Sequence, residues 1–98
     1  MIEHIVILKF SPETTTEQKD QVIQKLKDLK QQIPGILDLQ CNYNFCPRSQ
    51  GFEIGLTVRF ESKQALEEYG PHPKHQEAVS YMREVAKLSD IIVVDFEI

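Results

Sequence analysis

The 98-residue chain has no tryptophan, only two cysteines and four glycines, and no apolar run longer than four residues, as in Ile5–Leu8. Each scarcity excludes something. A membrane-crossing helix needs about 20 apolar residues, so none is expected. Cys41 and Cys46 lack the C-x-x-C spacing of a metal or redox site, and no further cysteine completes a zinc set. Both read as unpaired thiols, Cys41 in step with core positions and Cys46 at a turn before Pro47. The formal net charge is −4, with no excess of basic residues to form the stripe of a nucleic-acid module. The start Met1-Ile2-Glu3-His4 has neither the basic residues nor the long apolar stretch of a secretory leader, so a cytoplasmic protein is expected. No glycine-rich phosphate loop is formed around Gly51 or Gly55, and Ser49 and Ser80 lack a nucleophile elbow.

What remains is an ordinary globular composition, 41% hydrophobic and 27% charged, long enough for one domain spanning residues 1–98. Its pattern is strand, helix, strand, twice over. The first strand, Glu3–Phe10, places Ile2, His4, Val6, Leu8 and Phe10 on one face, with Ile5 and Ile7 on the other. A helix over about Thr15–Ile33 follows, with capping-box spacing at Thr14-x-x-Glu17. Its apolar stripe is Val22, Ile23, Leu26, Leu29 and Ile33; Pro34-Gly35 ends it. The second strand, Ile36–Phe45, alternates, with Leu37, Leu39, Cys41, Tyr43 and Phe45 facing one way. The turn Cys46–Gly51 leads to a third strand, Phe52–Phe60, completing a hairpin. Ser62 caps a short helix over Lys63–Tyr69. Gly70-Pro71-His72-Pro73 breaks it, and a further helix runs from Pro73 or Lys74 to about Lys87. It carries His75, Val79, Met82 and Ala86 in one stripe, flanked by Ala78 and Val85. The last strand is Ile91–Phe96.

This order is the β-α-β-β-α-β pattern of a ferredoxin-like α+β fold, an antiparallel sheet with its helices on one face. The other sheet face is left bare. Ile5, Ile7, Ile91 and Val93 are expected there, and a second copy packed sheet to sheet would cover them as an isologous homodimer.

Three polar residues converge on the covered face: His4 from the first strand, Tyr69 from the short helix, His75 from the last helix. Histidine moves protons near neutral pH, and a tyrosine hydroxyl can donate to a developing oxyanion, which suits proton abstraction beside a carbonyl. The same residues can equally be edge-of-core groups with satisfied hydrogen bonds. A metal site of His4, His72 and His75 is poorly served by the H-x-x-H spacing interrupted by Pro73. Neither a metal nor a cofactor is expected. Asp95 and Glu97 read as rim charges.

Several segments resemble the stress-responsive A/B barrel domain family. They are His4-Ile5-Val6-Ile7-Leu8-Lys9-Phe10, Ile33-Pro34-Gly35-Ile36, Phe60-Glu61-Ser62, Tyr69-x-x-His72-Pro73-x-His75 and Val93-Val94-Asp95-Phe96, covering essentially the whole chain. The resemblance implies a ferredoxin-like fold whose sheets pair across a dimer into an α/β barrel. Most such proteins have no established reaction. One member type closes a linear polyketide by aldol condensation with a Tyr and a His matching Tyr69 and His75. The resemblance thus implies His75 as general base and Tyr69 as hydrogen-bond donor. His4 matches that pocket's strand histidine, and Ile54 stands where the pocket has another histidine. Its first-helix aromatics correspond to Val22 or Ile23 and nearby Leu26, all smaller or aliphatic. Val6, Leu8, Leu26 and Ile54 are the expected apolar ligand contacts beside His4. Three functions follow: a homodimeric barrel protein binding a small apolar or carbonyl-containing ligand, a small cofactor-free cyclase or isomerase, and a cofactor-free monooxygenase of related fold.

Overall fold

The computed structural model describes residues Met1–Ile98. Seven elements follow in chain order: β1 (Ile2–Phe10), α1 (Thr16–Gln32), β2 (Ile36–Tyr43), β3 (Ile54–Phe60), α2 (Lys63–Tyr69), α3 (Pro73–Glu84) and β4 (Leu88–Glu97). The four strands make one antiparallel sheet in the order β2-β3-β1-β4. The architecture is the expected ferredoxin-like α+β fold.

One face of β1, comprising Ile2, His4, Val6, Leu8 and Phe10, is buried. On it packs a single core that includes Val22, Leu26 and Leu29 of α1, Ala65 and Tyr69 of α2, and Ala78 and Met82 of α3. The apolar stripes are what hold the helices to this face; burying them removes apolar surface from water. Each helix start is fixed locally. Ser62 accepts from the Ala65 amide, and the His72 ring accepts from Lys74 ahead of Pro73, whose missing N–H costs nothing in a first turn.

Several boundaries differ from the sequence reading, each for a physical reason. The α1 capping box is Thr15 with Gln18, one residue later than Thr14 with Glu17. Thr14 is buried instead and donates its hydroxyl to the Ala86 carbonyl at 2.6 Å. In β2 the inward alternation holds only for Leu39 and Cys41. A register shift between Ile36 and Asp38 leaves Leu37 as an extra, exposed residue. At the other end, the Asn44 side chain accepts from the Cys46 amide and donates to the Phe52 carbonyl. That local bonding turns the chain out of the strand, and Phe45 is 98% exposed. Correspondingly, β3 begins at Ile54, not Phe52. The last helix stops at Glu84, not near Lys87. The Val85 and Ala86 amides both reach the Tyr81 carbonyl, Lys87 takes a left-handed φ of 56°, and the Ser11 amide donates to the Lys87 carbonyl. Val85 is thereby exposed. β4 starts at Leu88, three residues earlier than expected.

The assignment of faces on β4 is also corrected. Ile91, Val93 and Asp95 stand opposite Leu8, Val6 and His4. Directly opposed residues share a face, so Ile91 and Val93 lie on the helix side, not on the bare side. The bare side carries Ile5 and Ile7 with Ile92, Val94 and Phe96. These last three are 46%, 48% and 46% exposed.

Candidate functional site

Between the helices and the β1–β4 half of the sheet lies a cavity of about 510 Å³. Helices α1 and α3 roof the core, but β4 is an edge strand that they cover incompletely, and the cavity occupies that gap. Its walls include Val6, Leu8, Ile91 and Val93 from the sheet, Leu26 from α1, and Val79 and Met82 from α3.

His4, Tyr69 and His75 all line it, at one end. The Tyr69 ring centroid is 4.3 Å from that of His75 and 5.8 Å from that of His4, and the ring packs edge-on to Phe60 at 4.9 Å. Tyr69 therefore packs against both histidines. Its side chain is held by aromatic packing. Burial, with the nearby Cys41 thiol, pushes its ionisation above the ordinary tyrosine range. The neutral phenol, a hydrogen-bond donor, is the form present at neutral pH.

His75 is anchored through Nδ1, 2.9 Å from the Gly70 carbonyl oxygen. A carbonyl only accepts, so Nδ1 carries the proton and donates, leaving Nε2 as an acceptor in the neutral ring. Burial is the largest influence on this imidazole and lowers its pKa; the Gly70 bond opposes that, and His4 and His72 add to it. Neutral His75 is thus a proton acceptor at physiological pH. The break after α2 makes this possible, because Gly70 ends one helix and turns its carbonyl toward a residue in the first turn of the next.

His4 is oriented through Nδ1 by the Asp95 carboxylate. Asp95 is exposed, as the reading of it and Glu97 as surface or rim charges expected; what that reading missed is that the register of β4 against β1 puts it directly opposite His4. The signal was present in the alternation Ile91, Val93, Asp95, an apolar row ending in a carboxylate, but the row could be placed only with the pairing known. Gln76 and Arg83 of α3 also reach the cavity; nothing in their helical spacing set them apart from a solvated flank.

Ile54 is not at the cavity wall. It is fully buried in the core. His72 serves as N-cap of α3 with its Nδ1 engaged by the Lys74 amide, so the three histidines do not gather around a common point. Cys41 is buried, and desolvation raises its thiol pKa to about 11. It is an inert core thiol.

A ferredoxin-like sheet with a histidine–tyrosine cavity under its helices defines the class. The chain belongs to the stress responsive A/B barrel domain family, whose model matches residues 2–98. Olivetolic acid cyclase of Cannabis sativa is 28% identical over 76 residues, which span 76% of this chain and 75% of the cyclase. A dimeric ferredoxin-like protein of unknown function from a Jannaschia species is 28% identical, with a TM-score of 0.81 over 99% of this chain and 98% of that one. Hydroxynitrile lyase from Passiflora edulis shares the fold at 19% identity, with a TM-score of 0.83 over 97% of this chain and 90% of the lyase.

Proposed function

We propose that the protein is a homodimer in which each copy binds a small apolar carbonyl compound in the cavity, with its carbonyl at the His4–Tyr69–His75 end. The observation that carries this is the convergence of those three side chains on one end of an otherwise apolar space of about 510 Å³, a volume within the range of small-molecule sites. A few placed polar groups in an apolar pocket fix a ligand's orientation.

The tautomer of His75 favours a catalytic role over passive binding. Nε2 takes a proton from the carbon beside the ligand carbonyl. The electron pair of that C–H bond moves to form an enolate, and the Tyr69 hydroxyl donates to its oxygen. Return of that proton from Nε2 to carbon completes an isomerisation; attack of the enolate on a second carbonyl, whose oxygen takes the proton back from Nε2, completes a cyclisation. The likeness to olivetolic acid cyclase, at 28% identity, supports this class of chemistry. His4, held by Asp95 and packed against Tyr69, helps position the carbonyl.

Dimerisation through the bare sheet face is supported by Ile5, Ile7, Ile92, Val94 and Phe96 on that face. Gly55, the second residue of β3, lies opposite Ile7 on that face, and a Cβ there would meet nothing within 4 Å in this chain. Glycine in a strand is found where another backbone approaches closely, which agrees with a partner surface there. The Nε of Arg59, on the same face, is buried without an acceptor. A related protein of the same fold is dimeric.

The test is hydrogen–deuterium exchange into 2-decanone in deuterium oxide, followed by mass spectrometry. Exchange beside the carbonyl, lost in His75→Ala while binding persists, is the expected result. Binding with no exchange leaves a ligand carrier. No binding of this or other apolar carbonyl compounds in a thermal-shift screen removes the cavity reading altogether.

A further inference from the structure

Arg83 is the cavity residue that the proton transfer above does not use. It lines the cavity from the last turn of α3. The chain has 15 acidic residues against 11 basic ones, yet none of its ion pairs involves Arg83. It is the one cation on the cavity wall.

Its place relative to the polar end is set by the fold. His75 lies in the first turn of α3, beside Tyr69. The other end of that helix is tied to the end of β1, where Ser11 donates to the Lys87 carbonyl and Thr14 to that of Ala86. Helix and strand therefore run along the cavity in the same sense. The eight residues from His75 to Arg83 span about 12 Å at the rise of an α-helix. The four from His4 to Leu8 span about 13 Å along a strand. The wall between is apolar, with Val6, Val79, Met82 and Val93. A hydrogen-bonding pole and a cationic rim thus face one another across roughly 12 Å of apolar lining.

We propose that the ligand is an apolar carbonyl compound ending in a carboxylate, with the carbonyl at Tyr69 and His75 and the carboxylate on the guanidinium of Arg83. The inference rests on the cavity reading above and specifies its substrate class. A carboxylate fits better than a phosphate because a single planar guanidinium matches a carboxylate through two parallel hydrogen bonds. A phosphate dianion would leave charge uncompensated beside one cation. The rim position keeps the ligand's charge in contact with water while its chain is buried, so no ion is stranded in the apolar part.

The test compares 9-oxodecanoate with its methyl ester, which differ only in that charge, by calorimetric titration of the full-length protein. The acid is expected to bind about five-fold tighter than the ester at low salt, the scale of a solvent-exposed ion pair. The preference shrinks as salt is raised. Arg83→Gln binds acid and ester alike, and Arg83→Lys, which keeps the charge but not the fork, retains part of the preference. Equal binding of acid and ester by the wild-type protein overturns the assignment while leaving the cavity reading intact, as does an acid preference that survives in Arg83→Gln. Failure of the wild-type protein to bind either compound overturns both.

Discussion

His75 shows how one residue's surroundings set its chemistry. Burial holds the folded-state pKa below the ordinary histidine value of 6.5, so the unfolded chain binds the proton more readily. Stability is then full above that value and declines as pH falls below it, through the lowered folded-state pKa. A pH series of thermal melts is expected to show this decline in the wild-type protein and a flatter curve in His75→Gln. Tyr69 separates a functional from a structural role. Its ring is packed, and no side-chain hydrogen bond contributes to its ionisation. Tyr69→Phe keeps the packed ring and removes only the hydroxyl, and is therefore expected to change unfolding free energy by no more than about 1 kcal/mol, the scale of one hydrogen bond, while lowering affinity for 2-decanone. A large stability loss with unchanged affinity would make Tyr69 a core residue only. Both residues were legible in the sequence as polar intrusions on apolar stripes. Asp95 was not, because its meaning lies in the residue it stands opposite.

At the scale of elements, local patterns located every helix and strand, and tertiary hydrogen bonds placed their ends. The stop of α3 has no glycine or proline to announce it. It arises where Thr14 and Ser11 capture the carbonyls of Ala86 and Lys87. Replacing Thr14 by valine leaves the Ala86 carbonyl without that donor, and chemical denaturation is expected to record a loss of about 1 kcal/mol. The opposite case is Gly35, where the sequence signal was sufficient. It follows Pro34 at the end of α1, has a φ of 90°, and a Cβ there would stand 2.7 Å from the Ala65 Cβ. Gly35→Ala meets both backbone strain and a clash with α2, and is expected to cost about 1–3 kcal/mol in the same measurement.

The whole molecule is one layer of helices on one sheet, and that arrangement leaves β4 half-exposed on both faces. On the helix side the exposure is the cavity; on the other it is the surface assigned above to a second copy. Val94→Asp puts a charge in the middle of that surface, opposite Ile5. Sedimentation is expected to show the variant as a monomer at a concentration where the wild-type protein is dimeric; an unchanged dimer would place the interface elsewhere. The sequence by itself determined the element order, the buried face of β1, the helix stripes and hence the fold, because those depend on side-chain periodicity along the chain. It also determined that His4, Tyr69 and His75 share one side of the sheet. Only the tertiary structure decided which of two apolar rows of β4 faces the cavity. Ile91–Val94 is apolar on every residue, so its periodicity carries no information, and a shift of one residue exchanges the two faces. That register sets Asp95 on His4 and Ile92, Val94 and Phe96 on the outer surface.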